Sequence, residues 1–374
     1  MKKYLITIWS QNPEHYFFIE NQINFLLNKK KNITLIYQGS KKKRLLFQNK
    51  NYFEKKIFFS NKKLLNTLYF FFYIFYLTLL TFLKKPDIII IYNNQPILFA
   101  KIVSLFFKKK IIYHNFDYDP EPESFSSKFF NFIEKKSIYS FDLITFSNIK
   151  RANFFRKKNN FKDLKIIILF NVLSIKYKEI FYSPPKKLNK LINIFRIGTI
   201  GPGHGLLYLV NCLKFLPYNY KLTLCGNIVD EKFYLKLTNL IKKENLLKKV
   251  RIIKHAYRYK WEKLLSNADV GVALYENTNL SHKYMIGASQ KVNCYLASGL
   301  PIIAFKDKQF LEFHKNNKCC ICIDTKNPKI AASMINKRIN NKKQFMSLRK
   351  NSLAAFKKSY NFENEISKIK NYLL

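Results

Sequence analysis

Arg196-Ile197-Gly198-Thr199-Ile200-Gly201-Pro202-Gly203-His204-Gly205-Leu206-Leu207 is the stretch of this chain that decides its fold. An apolar run ends at Gly198, four glycines shape a tight loop, and a helix is predicted to open after Gly205. Glycine lets backbone approach an anion closely, and the first N–H groups of the helix then point at it. This spacing predicts a strand–loop–helix unit that holds phosphate through Gly201, Gly203, His204 and Gly205. The chain has only nine glycines, so four in one loop is a concentration that an ordinary turn does not require.

On both sides of this loop, short β-branched runs alternate with longer helical stretches, the pattern of a parallel α/β sheet. Before it, strands are predicted at 4–9, 33–38, 56–59, 87–92, 110–114, 143–146 and 166–170. Helices are predicted near 15–29, 64–83, 96–107, 125–139 and 148–158. Ser183-Pro184-Pro185-Lys186-Lys187 is stiff and polar, suited to a hinge between domains. After it the alternation restarts, with strands at 192–198, 221–225, 250–253, 269–274, 301–305 and 319–323. The predicted helices here are 205–216, 231–247, 260–267, 287–298, 327–339 and 343–357, with a last one near 362–373. The expected fold is α/β, with two Rossmann-like domains facing across a cleft at the carboxyl ends of their strands. Residues 1–183 form the first domain, with 358–374 packing back on it, and 184–357 form the second.

A second signal follows. Ala268-Asp269-Val270-Gly271-Val272-Ala273-Leu274-Tyr275 reads as a strand, and Gly287-Ala288-Ser289-Gln290-Lys291-Val292-Asn293-Cys294-Tyr295-Leu296-Ala297-Ser298-Gly299-Leu300-Pro301 as a loop and a helix with small-residue packing. Lys291, at the start of that helix, could neutralise phosphate charge beside free N–H groups, with Gly287, Ser289 and Gln290 around it. Together, the two segments resemble the carboxy-terminal half of family 4-like retaining glycosyltransferases of the GT-B fold, over about residues 192–310. The resemblance implies a donor nucleotide-sugar held mainly by the second domain, an acceptor held mainly by the first, and no metal or other cofactor. It also implies roles for Gly226 and Arg258 near the nucleotide, for Lys291 and Arg258 as cations facing the diphosphate, and for His114 against the donor sugar.

The chain departs from that family at three positions. His204 stands where relatives place Lys or Arg, and Ile286 and Cys294 stand where relatives carry a pair of glutamates. A degenerate, non-catalytic relative is therefore one alternative. Gln11 and Asn12 follow the first strand and are candidates for acceptor contact. Asp117-Tyr118-Asp119 mimics a metal-binding Asp-x-Asp pair, but two facing α/β domains argue against the glycosyltransferase fold that uses one. Glu121 and Glu123 in the same loop read as solvated carboxylates.

The formal charge of +44 implies attraction to nucleotides, anionic lipid or nucleic acid. Lysines spread along the whole chain, with no recognised binding module, argue against a nucleic-acid-binding protein. A sugar-nucleotide 2-epimerase of related fold is a further alternative. Six unpaired cysteines point to a reducing cytoplasm, and Cys319-Cys320-Ile321-Cys322 fits a buried strand better than a zinc site. Leu64 to Leu83 carries no charge and could reach across a bilayer, but the flanking runs read as strands of one sheet. A buried or interfacial helix is expected instead. The expected protein is cytoplasmic and peripheral on the inner face of the cell membrane. It would move sugar to a lipid-linked or surface-polysaccharide acceptor, as in lipopolysaccharide or capsule synthesis.

Overall fold

The structure is a computed structural model that describes residues 1–9, 16–39, 47–58, 63–118, 125–177, 191–254, 258–277, 280–324 and 326–374. Two compact units divide the chain: Met1–Val172 with Phe362–Leu374, and Leu173–Asn361. The first unit thus ends before the Pro184-Pro185 stretch, which lies outside the described residues.

The first unit is a seven-stranded parallel sheet of β1 (Lys3–Ile8), β2 (Asn32–Gly39), β3 (Tyr52–Phe58), β4 (Ile88–Tyr92), β5 (Lys110–Asn115), β6 (Leu143–Phe146) and β7 (Ile167–Ile168). Their order is β3-β2-β1-β4-β5-β6-β7. The helices α1 (Phe17–Asn28), α2 (Lys63–Lys84), α3 (Ile97–Phe106), α4 (Phe125–Ser137) and α5 (Ile149–Asn159) make the crossovers. Central strands are covered on both faces and so are apolar throughout: Ile88-Ile89-Ile90-Ile91-Tyr92 is buried at every position. Phe362–Leu374 completes this unit. Phe362 packs edge-on against Phe18 (5.2 Å). The Glu365 carboxylate accepts the Phe170 N–H (2.8 Å), and the Tyr4 hydroxyl donates to the Leu373 carbonyl.

The second unit is a six-stranded parallel sheet: β8 (Ile192–Ile197), β9 (Tyr220–Gly226), β10 (Val250–Lys254), β11 (Val270–Ala273), β12 (Ile302–Phe305) and β13 (Cys320–Ile323). Its order is β10-β9-β8-β11-β12-β13. Both sheets reverse their winding direction at the first strand, between β1 and β4 and between β8 and β11. In open α/β sheets the crevice at such a reversal is where ligands bind.

The opening between β8 and β11 is held by one side chain. The strands pair only at Val270–Ile194 and Gly271–Phe195. Beyond that point Tyr295, from the helix Gln290–Ala297, takes over. Its hydroxyl accepts the Ile197 N–H (3.1 Å) and donates to the Val272 carbonyl (3.1 Å). The ring lies against Gly271, where a Cβ would come within 2.3 Å of it, so no larger residue fits there. Asn293, from the same helix, accepts the Leu173 N–H (2.7 Å) and donates to the Tyr360 carbonyl (2.7 Å). It pins both ends of the unit.

Two acids are buried in the first unit, Glu365 and Glu134. Glu134 of α4 is 1% exposed and accepts hydrogen bonds from the Tyr113 hydroxyl (2.5 Å) and the Asn115 amide (2.9 Å). Burial raises its pKa from 4.5 to about 7, against the pull of these two donors.

Two stability predictions follow from these contacts. Tyr295→Phe strips partners from a buried N–H and a buried carbonyl, which should cost about 1–3 kcal/mol in denaturant titration. For Glu134, the folded chain holds a proton that the unfolded chain has lost between pH 4.5 and about 7, so stability falls as pH rises through that window. Glu134→Gln keeps both hydrogen bonds without the titration. Its melting temperature should therefore gain on the wild type from about pH 5 to about pH 8; a constant difference would show that Glu134 does not titrate there.

Candidate functional site

Two cations converge at the carboxyl end of β8. Arg196 lies within the strand at 1% exposure, and one guanidinium nitrogen donates to the Gly198 carbonyl just beyond it. Its other terminal nitrogen is buried with no hydrogen-bond partner. Burial lowers its pKa to about 10. Lys291, at the second position of Gln290–Ala297, reaches the same place. A Cβ on Gly198 would sit 3.3 Å from its Cε and 3.5 Å from its ammonium. That ammonium also lies over the Tyr275 ring, 4.7 Å from the centroid. Burial first, and then Arg196, drive its pKa well below the ordinary lysine range. Among the described residues neither cation has a carboxylate partner.

Two histidines extend this electropositive group. The His204 ring is 5.0 Å from that of His282 and 6.0 Å from that of Tyr275. His204 Nδ1 is buried and lacks a hydrogen-bond partner. Burial, reinforced by Lys291, Arg196 and His282, lowers its pKa to about 2, so it is neutral here. The expected weak cation at position 204 is therefore an uncharged donor or acceptor. Tyr275 is fixed by a 2.7 Å hydrogen bond between its hydroxyl and that of Ser289. Ser289 in turn caps the helix that carries Lys291 by accepting the Val292 N–H.

The glycine loop has the predicted strand–loop–helix form, with its helix at Leu206–Lys214. Gly198, Gly203 and Gly205 take positive φ values of 109°, 77° and 60°. Gly205 also lies where a Cβ would meet Leu274 and Phe305 at 2.8 Å, and Gly201 where one would meet Val229 at 2.6 Å. The loop therefore packs tightly against β11 and β12. Its helix head is partly occupied from within: the Gly205 N–H donates to the Glu276 carboxylate (3.2 Å), and the Glu276 N–H to the Gly203 carbonyl (3.0 Å). A carboxylate at this helix N-terminus agrees with its preference for anions.

The other candidates are placed as follows. Gly226 is a contact residue: a Cβ there would come within 1.9 Å of the Gly198 carbonyl, so it lets the glycine loop lie on β9. Gly287 is buried with φ 84°, and Gln290 is half-buried at the start of the Lys291 helix. Arg258 opens the helix Arg258–Leu265, and its side chain lies outside the described residues. Gln11, Asn12, Asp119, Glu121 and Glu123 lie outside them too. Asp117 accepts the Tyr16 hydroxyl. His114 is at the carboxyl end of β5 as expected, but its ring does not open onto solvent. It is 0% exposed, with Nδ1 2.6 Å from the Thr145 hydroxyl and Nε2 3.2 Å from the Gln22 amide. Burial lowers its pKa to about 3, so it too is neutral. Cys294 and Ile286, at the positions of the two family glutamates, are buried and half-buried. Among the described residues no group of three or more His, Cys, Asp or Glu could hold a metal ion. Arg196, His282, Glu276 and Tyr295 are not singled out by any motif in the sequence. Arg196 alone carried a signal, as a charge inside an otherwise apolar strand.

Residues 178–354 match the family described as glycosyl transferases group 1. No curated protein matches the chain by sequence. Among solved structures, the chain is similar to a glycosyltransferase from Rickettsia africae (TM-score 0.73, 14% identity, covering 99% of this chain and 97% of that one). It is also similar to Anabaena HepE in complex with UDP and glucose (0.73, 14%, 100% and 99%). A third is WaaG, a glycosyltransferase involved in lipopolysaccharide biosynthesis (0.68, 11%, 99% and 98%). Over its full length the chain has the GT-B fold of these structures, and its residues 178–354 match the family of group 1 glycosyl transferases.

Proposed function

We propose that the chain transfers a sugar, with retention of configuration and without a metal, from a nucleoside-diphosphate sugar to a lipid-linked or surface-polysaccharide acceptor at the inner face of the cell membrane. One observation carries the donor assignment: buried Arg196 and half-buried Lys291 meet beside Gly198 with no carboxylate partner among the described residues. A diphosphate supplies that charge, and HepE, similar in fold, binds UDP. The acceptor class rests on the likeness to WaaG, and retention and metal independence on the family resemblance.

In this scheme the bond between the anomeric carbon and the β-phosphate oxygen breaks, and its electron pair leaves on the diphosphate. The acceptor hydroxyl oxygen forms the new bond to that carbon, and its proton passes to the leaving phosphate. Lys291, Arg196 and Arg258 stabilise the charge that develops, which preorganised groups do with little rearrangement. Because Glu276 already holds the Gly205 N–H, the diphosphate leans on the cations more than on that amide. The N–H groups of Gly201, Gly203 and His204 line its other side. Gly287, Ser289 and Gln290 shape the opposite wall. Gln11 and Asn12 contact the acceptor, and Gly226 borders the nucleotide, while His114 is enclosed in the first unit and takes no part in this scheme.

Calorimetric titration with UDP, GDP, ADP and CDP tests this. One of them should bind, and Lys291→Ala should weaken that binding and lower turnover by about 3 kcal/mol of barrier, roughly a hundredfold. Absence of binding by all four to the wild type would remove the donor assignment.

A further inference from the structure

The outward face of α2 is apolar where a surface helix is normally polar. No charged residue occurs from Leu64 to Leu83. One side of the helix is conventional: Phe70, Tyr73, Ile74, Leu77 and Leu80 are buried. Tyr73 and Phe70 pack on Trp9 at 4.7 and 5.3 Å, and the Tyr73 hydroxyl is 2.5 Å from that of Thr7. The other side carries Leu68, Phe71, Phe72, Phe75, Phe82 and Leu83, each more than half exposed. Their spacing of three or four residues lines them along one stripe. If about half of a ring's roughly 200 Å² is open at each, the stripe exposes on the order of 600 Å². That is at the upper end of what a monomer leaves to water, and patches of this size mark interaction surfaces. Phe130 packs on Phe70 at 5.2 Å, and so joins α4 to this surface with its exposed Phe125 and Phe132.

Lysines border the stripe. Lys55 lies over the Tyr76 ring (4.5 Å) and Lys84 over the Phe53 ring (4.0 Å). At the carboxyl end of α2, Leu80 and Leu83 form one wall of a cavity of about 430 Å³ whose lining includes Lys3, Lys50, Lys84 and Thr34. Leu83 belongs both to this wall and to the exposed stripe. The two acids nearest in sequence each accept a hydrogen bond from a residue of this lining, Glu54 from the Tyr52 hydroxyl (2.7 Å) and Asp87 from the Lys3 N–H (2.7 Å).

We infer that α2 lies in the plane of an anionic bilayer, with its phenylalanine–leucine stripe among the acyl chains and a lipid headgroup phosphate in the Lys3–Lys50–Lys84 cavity. The inference deepens the peripheral location proposed above by naming the face and the lipid charge. Charge complementarity selects this occupant. A second copy would set the same lysine border, on a chain of formal charge +44, against itself. An anionic leaflet instead attracts each lysine near it. Topology sets the orientation. β3 and β4 flank α2 and lie parallel in one sheet, so the helix cannot cross the bilayer without parting them.

Flotation of the full chain with phosphatidylglycerol–phosphatidylcholine vesicles, and with phosphatidylcholine vesicles, tests the inference. Binding should be strong to the first and weak to the second. Phe72→Ser/Phe75→Ser/Phe82→Ser should lower the bound fraction at least tenfold, and Lys50→Gln/Lys84→Gln should erase the preference for anionic vesicles. Equal binding by wild type and triple variant, or no binding by the wild type, would overturn it. So would a concentration-dependent dimer, in sedimentation velocity, that the triple variant abolishes. Should the triple variant fail to fold, Phe75→Trp replaces it. Its emission, corrected for that of the wild type, should shift to the blue on anionic vesicles, and an unshifted spectrum counts against insertion. Nucleoside diphosphate titration of the same proteins keeps the two proposals apart. A wild type that binds nucleotide but no vesicles defeats only this inference, and one that binds anionic vesicles but no nucleotide defeats only the donor assignment.

Discussion

Arg196 keeps its guanidinium inside a β-strand with one nitrogen unbonded, and Lys291 brings a second positive charge beside Gly198, whose carbonyl Arg196 holds. An ion taken out of water costs several kcal/mol even after the protein relaxes around it, and a like charge nearby raises that cost. Among the described residues no acid offsets it. The rest of the second unit is arranged around this constraint. Tyr295 holds β8 and β11 apart at the point where the cations meet, Gly271 makes room for the ring that does so, and Ser289 caps the helix that delivers Lys291. Whatever completes such a site carries negative charge.

The sheets were legible because their strands are covered on both faces, which leaves no polar alternation to confuse with helix. Ile88–Tyr92 and Val270–Ala273 could be little else, and the strand sites predicted in each half correspond to the seven and six strands found. Edges were harder to read. β3 begins at Tyr52, earlier than expected, because Glu54, Lys55 and Lys56 dilute the apolar signal of an edge strand. The helix Lys308–Asn317 was missed: it is short and polar on its outer side, and its cap, Asp307 accepting the Phe310 N–H, is one acidic residue among loop residues. α2 was predicted almost to the residue, as its uninterrupted apolar run demanded. Which side of it faces water is not written in a run that is apolar all round.

Site residues were legible where backbone geometry selects them and obscure where side chains do. The glycine cluster marked a loop that needs special backbone geometry, and Gly198, Gly203 and Gly205 there take positive φ. Glu276 comes from a loop and His282 from the short helix Leu280–Lys283, neither with a motif of its own, and only the tertiary fold brings them to the helix head and to His204. His114 shows the converse. A histidine at the end of a central strand can point along the sheet or into its face, and Thr145 and Gln22 hold this one in the interior. A strand pattern of period two does not separate those outcomes at its last residue.

The return of Phe362–Leu374 to the first unit has a consequence for how the protein is made. Phe362 on Phe18, Glu365 on the Phe170 amide and Tyr4 on the Leu373 carbonyl join residues translated before the second unit to residues translated after it. Leu173–Asn361, by contrast, is continuous. On the ribosome, the unit encoded second can therefore close first, while the unit encoded first waits with its apolar surface incomplete until residues 362–374 emerge.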